Sequence, residues 1–252
     1  VRIDLNADVG ESLGAWRIGD DERLIPLLTS ANVACGAHAG DPLTMERTVR
    51  IAARHDVAVG AHPGYPDLVG FGRRELDMAP DELEASIVHQ VGGLLAFCRD
   101  AGVQLRHVKA HGALYNRAAR DPVVAESIAK AVKRISPSLV LVGLAGSELV
   151  SAGRAAGLRV AEEAFADRAY ESDGSLRSRR LPGAVLHDSD AAARQALTIV
   201  AEGSVTSHDG VRVSLRADTL CIHGDTTGAV EIAKAVRSAL SAAGVEVLAL
   251  EA

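Results

Sequence analysis

RHVKAHGALYN (residues 106–116) is the stretch on which the reading of the fold turns. Val108 and Ala110 alternate with His107, Lys109 and His111. Strand side chains point alternately to the two faces, so Lys109 and His111 point the same way. Gly112 then breaks the strand, and residues 113–115 begin a turn. A cation and an imidazole therefore share one face at the C-terminal end of a short strand.

The same ending recurs to either side. Residues 2–8 (RIDLNAD) read as the first strand, with Ile3 and Leu5 on one face and Asp4, Asn6 and Asp8 on the other. Three polar residues facing a closed core are costly unless they line a site. A loop carrying Glu11 and Ser12 follows. Residues 32–38 (NVACGAH) and 57–62 (VAVGAH) read as the second and third strands, ending in His38 and His62. Residues 139–145 are apolar throughout, as in a parallel strand covered on both faces. Residues 159–165 form a sixth strand, and residues 219–223 a last one that ends in His223 and runs into Gly224 and Asp225.

Helical spacing or helix-end signals fall at residues 20–29, 42–55, 80–101, 121–135, 147–156, 188–201 and 227–243. Residues 204–216 read as a hairpin around Asp209–Gly210. Strand, loop and helix thus repeat about seven times, the pattern of parallel strands with crossover helices. A closed barrel and an open doubly wound sheet both satisfy it. Polar residues at the C-terminal ends of many strands favour the barrel, which collects its active site there. An open sheet would gather them at one switch point. Without a linker, low-complexity tract or composition break, residues 1–252 read as one domain.

Composition narrows the function classes. A net charge of −6 gives no electrostatic footprint for nucleic acid or an anionic membrane. No apolar run approaches the ~18–20 residues of a membrane span. The start VRIDLNADVG lacks the basic flank and apolar core of a signal peptide. Cys35, Cys98 and Cys221 are odd in number and scattered, which suits reduced thiols in the cytoplasm. By strand parity Cys35 faces the helices and belongs to the core. No GxxxxGK[ST] loop, no GxGxxG after a strand and no GxSxG elbow is present, so nothing announces a nucleotide site or a serine hydrolase.

The candidate constellation at one barrel mouth is Asn6, Asp8, Glu11, His38, His62, Lys109, His111, Asp167, Arg168, His223 and Asp225. Carboxylates and imidazoles together can hold a divalent metal. They can equally bind a small carboxylate and move protons at neutral pH. Each residue has a plainer reading: a strand-end histidine bonded to backbone, a solvated Glu11, a Lys109 paired structurally with a buried carboxylate. The repetition at strand end after strand end outweighs those readings for the group. His55, His89, His107 and His208 receive no role. Two long loops, residues 63–78 and 166–180, combine glycine with Arg73 and Arg74 or with Arg168 and Arg179. They are expected to cover a substrate or dock a partner, with arginine gripping carboxylate or phosphate; solvated surface loops are the alternative.

The blocks DLNADVGES (4–12), NVACGAHAGD (32–41), GAHPGYPD (60–67), GFGRRE (70–75), HVKAHGALYN (107–116), FADRAYESDGSL (165–176) and CIHGD (221–225) resemble, in order, those of the LamB/YcsF family. The family's usual KPHGALY is KAHGALY here, with Ala110 facing away from Lys109 and His111. The resemblance implies a single (β/α)7 TIM-like barrel of the glycoside hydrolase/deacetylase type. It implies ATP-dependent opening of 5-oxo-L-proline to L-glutamate, with ATP as co-substrate giving ADP and phosphate. It also implies the 5-oxoprolinase subunits B and C as partners. Within that reaction Asp8, Glu11, Lys109 and His111 are the expected catalytic residues. Asn6, Arg73, Asp167, Arg168, His223 and Asp225 are expected to bind substrate, and Asp8, His38 and His62 are the expected ligands of a divalent metal. Two other functions fit the same residues: a free-standing metal-dependent hydrolase of amides or acetylated carbohydrates, and a non-catalytic subunit that binds 5-oxoproline for its partners.

Overall fold

The computed structural model describes residues 1–251. The strands, in chain order, are β1 (Arg2–Val9), β2 (Ser30–Ala34), β3 (Ala58–His62), β4 (Leu105–Lys109), β5 (Val140–Leu144), β6 (Arg159–Phe165), β7 (Ser204–Thr206), β8 (Arg212–Ser214), β9 (Thr219–His223) and β10 (Glu246–Val247). The parallel order β1-β2-β3-β4-β5-β6-β9 closes when β9 pairs back to β1. This is a closed seven-stranded barrel, and the open-sheet alternative falls. β7 and β8 make the expected antiparallel hairpin outside it. β10, which no sequence signal announces, extends the parallel pairing beside Arg2 and Ile3.

The helices are α1 (Asp21–Leu24), α2 (Pro42–Arg54), α3 (Pro80–Asp100), α4 (Gly112–Ala118), α5 (Pro122–Ile135), α6 (Glu148–Ala155), α7 (Ser189–Glu202) and α8 (Ala229–Ala242). Caps place several of them: Asp41, Asp121, Ser147 and Asp188 accept from backbone N–H groups of the first turn. One hydrophobic core runs from Ile3 on β1 to Leu240 on α8 and includes Cys35 and Cys98. All three cysteines are free and buried. No helix among the described residues is long and apolar enough to cross a membrane.

Three local expectations are corrected. The second strand ends at Ala34, not at residue 38. Gly36 turns there with φ +85, its N–H donating to the Ala39 carbonyl, so His38 arrives on a loop. The segment 20–29 is one short helical turn followed by a 3-10 turn, Ile25–Leu27, because Pro26 cannot extend the helix. The segment after Gly112 is a two-turn helix, α4, rather than a turn.

The barrel interior is unusually polar, and register explains how the polar groups meet. Asp8 pairs with Asn32 on β2 and with His223 on β9. Asn32 pairs with Gly60, and Gly60 with His107. Gly60 leaves a gap that the His107 ring fills: a Cβ at Gly60 would lie 2.0 Å from His107 Nε2. His107, given no role on sequence grounds, is part of the interior network; its Nε2–H donates to Asn32 Oδ1 at 2.7 Å. Deeper in the barrel, Asp4 accepts from Thr29, Ser30 and Thr219. These are the partners that a buried carboxylate requires.

Candidate active site at the C-terminal mouth of the barrel

Lys109 is the electrostatic centre of the mouth. Its Nζ lies 2.9 Å from Asp8 Oδ1, 2.9 Å from Glu163 Oε1 and 3.0 Å from Cys221 Sγ. Its hydrogen bonds go to Asp8, Cys221 and, at 3.4 Å, Asn6 Oδ1, while Glu163 is held as an ion pair. Burial alone would lower the Lys109 pKa, but Asp8, Cys221 and Glu163 hold it well above the ordinary value. Burial alone would likewise raise Asp8, yet His62 and Lys109 hold its carboxyl well below the usual range. Asp8 is therefore ionised at neutral pH. The amide of Asn32 donates to it at 2.9 Å and to Asn6 Oδ1 at 2.7 Å. Asn6 donates in turn to Glu163 and Thr219. Its expected role is substrate binding, and in the structure it ties the interior network together.

Glu163 is a site residue absent from the constellation drawn on sequence. It is fully buried on β6, accepts from Tyr115 Oη at 2.7 Å and shares Lys109 with Asp8. Its signal is parity: in RVAEEAF it shares a face with Phe165, whose ring lies 5.3 Å from Lys109 Nζ.

Asp167 and His223 form a second unit. The His223 backbone N–H donates to Asp167 Oδ2 at 3.0 Å, and its Nδ1 lies 2.9 Å from Oδ1. A carboxylate on Nδ1 fixes the proton there and leaves Nε2 as the basic nitrogen. Burial pushes Asp167 up, but the imidazole and backbone N–H of His223 bring its pKa below the ordinary value. The His223 ring stacks on Phe165, with centroids 5.2 Å apart.

The two arginine-bearing loops converge. Arg73, from the loop after β3, and Arg179, from the loop after β6, both reach Asp225 beyond β9, Arg179 at 3.9 Å. Asp225, an expected substrate ligand, thus holds two cations from different loops in place. Arg168 donates to the Ala184 and Arg177 carbonyls, which anchors the second loop. Asp8, His62, Lys109, His111, Arg73, Arg168, Arg179 and His223 all border one cavity of about 1240 Å³. Anionic ligands suit its rim. Arg73→Ala or Arg179→Ala is expected to raise the KM for substrate or weaken assembly at least ~10-fold, about 1.4 kcal/mol for a lost charge-assisted bond. Steady-state kinetics and an assembly assay read the two effects, and unchanged values in both variants would reduce these loops to surface.

The expected metal ligands Asp8, His38 and His62 have different neighbours. Asp8 Oδ2 is 3.3 Å from His62 Nε2, but Asp8 is committed to Lys109 and Asn32. Glu11, not Asp8, faces His38, at 3.6 Å. Glu11, His38, His62 and His111 bring ligand atoms within 4.8 Å of one another, all buried. Neither nitrogen of the His38 ring has a hydrogen-bond partner. Imidazoles with a carboxylate fit a borderline divalent ion. Burial, then Asp225 and Asp8, push Glu11 well above its ordinary pKa. Burial and neighbouring imidazoles hold His38 and His111 well below theirs.

The chain resembles proteins already described. It is 58% identical over 245 residues to the 5-oxoprolinase A subunit of Chloroflexus aggregans, with 97% of each chain covered. The crystal structure of a lactam utilization protein from Thermus thermophilus superposes with a TM-score of 0.93 at 52% identity, covering 99% of this chain and 100% of that one. The Bc1960 peptidoglycan N-acetylglucosamine deacetylase matches at a TM-score of 0.50 and 11% identity over 99% of this chain and 86% of its own. That likeness is one of fold alone, a deacetylase-type barrel. The LamB/YcsF family model matches residues 3–252, and the chain belongs to the LamB/YcsF family.

Proposed function

We propose that this chain is the A subunit of an ATP-dependent 5-oxoprolinase. It opens 5-oxo-L-proline to L-glutamate in the cytoplasm, together with subunits B and C, while ATP becomes ADP and phosphate. The observation that carries the reading is the composition of the cavity. A carboxylate-fixed histidine and a lysine-locked carboxylate lie at its floor and arginines at its rim. The end-to-end likeness to a 5-oxoprolinase component supports it.

The chemistry needs such a set. A five-membered lactam is a stable amide with a poorly electrophilic carbonyl. Transfer of the ATP γ-phosphoryl group to the carbonyl oxygen makes an imidate-like phosphate. Water then attacks the carbon, the C–N bond breaks, and the ring nitrogen leaves as an amine after taking a proton. Loss of phosphate to a second water completes glutamate. His223 Nε2 is suited to take the proton of the attacking water, with Asp167 stabilising the imidazolium that forms. Arg73 and Arg179 are suited to the substrate carboxylate or the phosphates. Asp8, kept ionised by His62 and Lys109, is suited to stabilise the positive charge that the leaving amine gains with its proton.

Reconstitution tests the reading. Lactam-dependent ATP hydrolysis and stoichiometric glutamate are expected when the chain is mixed with subunits B and C, and neither from the chain alone. Removal of acetyl groups from an amide or carbohydrate by the chain alone would instead identify a free-standing hydrolase.

A further inference from the structure

The four-residue cluster beside the catalytic floor contains a hydrogen-bonding contradiction. His62 Nδ1 lies 2.8 Å from the Lys109 carbonyl. A carbonyl only accepts, so that nitrogen carries the proton, and Nε2 of the neutral ring is bare. His111 Nε2 lies 2.9 Å from the Phe71 carbonyl, so its proton is there and its Nδ1 is bare. These two bare nitrogens face each other at 3.0 Å. Two lone pairs at that distance repel, and no proton remains between them. Glu11 Oε1 adds a further acceptor 3.7 Å from His111 Nδ1 and 3.6 Å from His38 Nε2. Both distances exceed a hydrogen bond. The His38 ring, 1% exposed, is without a partner at either nitrogen. These four ligand atoms lie within 4.8 Å of one another, and no hydrogen bond with an assignable proton joins them.

We propose that Glu11 Oε1, His38 Nε2, His62 Nε2 and His111 Nδ1 bind one divalent transition-metal ion. Three imidazoles and one carboxylate suit Zn2+, Co2+ or Mn2+ better than Mg2+ or Ca2+, which favour all-oxygen shells. The outer shell is already built: the Lys109 and Phe71 carbonyls set the two tautomers, as partners of metal-bound histidines do. The His62 and His111 rings stand perpendicular, at 89°. His38 and His111 lie stacked, 3.7 Å apart and 3° from parallel. Coordination at about 2.0–2.2 Å therefore requires those two rings to turn toward a common point. Backbone of the loop after β3 seals the cluster. A Cβ at Gly72 would sit 2.7 Å from His38 Cβ, and one at Gly64 2.8 Å from His38 Nδ1. The nearby Lys109 charge is already matched by Asp8 and Glu163, so it does not bar a cation. The competing occupant is a proton on His62 Nε2, 3.3 Å from Asp8 Oδ2, the arrangement in which His62 helps to hold Asp8 ionised.

The test is a binding measurement that needs neither substrate nor partner subunits, so its failure is separate from failure of the lactam reading. The chain is stripped with a chelator, then titrated with Zn2+ by calorimetry and with Co2+ by visible absorption. One equivalent of each is expected, with d–d bands for Co2+. Glu11→Gln and His38→Ala should weaken binding at least ~100-fold, beyond the usual loss of an outer-shell partner. Circular dichroism of the stripped variants checks that each still folds, and the isosteric glutamine serves if the alanine variant does not. A stripped wild-type chain that takes up neither ion overturns the proposal, as does a full equivalent retained by both variants. The first outcome assigns the gap between His62 and His111 to a proton.

Discussion

Lys109→Met is expected to abolish turnover in the assembled enzyme, at least ~10³-fold in kcat, the upper range for removing one preorganised charge. It should also weaken the fold by about 3–5 kcal/mol, because removing one partner leaves buried charge uncompensated. For a chain of this size that is a fall in Tm of roughly 6–20 °C. The physical cause is local. Asp8 and Glu163 both lean on one buried ammonium. Without it, one of them must take a proton to fold. The pH dependence follows from proton counts. A carboxyl whose folded pKa is raised binds more protons folded than unfolded, so its penalty grows as pH rises above the unfolded value of about 4. The Tm deficit of Lys109→Met should therefore be smaller at about pH 5 than at about pH 8. In the wild type the sign is opposite: Asp8 is depressed, so its contribution is present above about pH 4 and is lost as pH falls through its folded value. Thermal unfolding across this range reads both. A variant as stable as wild type at every pH would mean that Asp8 and Glu163 do not need the ammonium.

Asp167→Asn should cost about 10³–10⁴-fold in kcat with little change in KM or stability. An amide donating to His223 Nδ1 forces the proton onto Nε2, and the base is lost while the ring stays in place. The magnitude is the one known for the same change in a serine protease, a different reaction with the same carboxylate–imidazole logic. The informative readout is the pH–rate profile. The wild-type kcat/KM profile should show the rise with pH that a general base gives, and that limb should vanish in Asp167→Asn and His223→Gln. Full activity in both variants within an intact complex would favour a chain that only binds the lactam for its partners.

Most of the barrel is legible in the sequence because its signals are local. Alternation in RIDLNAD and RHVK gives face and direction, and the residues at strand C-termini mark the end that carries the candidate site. His38 and His62 are found this way, although His38 is not on a strand at all. What escapes depends on closure. Glu163 lies on β6 and Asp8 on β1, and only the pairing of β9 with both strands brings them to one ammonium. His107 is passed over because nothing in its own neighbourhood reveals that Gly60, on the adjacent strand, leaves room for its ring. Asp8 and Glu11 are hard to tell apart as metal ligands for the same reason. Both are acidic residues on the first βα segment, and only the position of Lys109 decides which of them is already engaged.

A structure of the chain within its complex, with 5-oxo-L-proline bound, would test the assignment of the lactam site most directly. The lactam is expected in the cavity at the barrel mouth, its carboxylate toward Arg73 or Arg179 and its carbonyl carbon on the side of His223 Nε2. Lactam bound on a partner subunit, with this cavity left to solvent, would contradict that assignment.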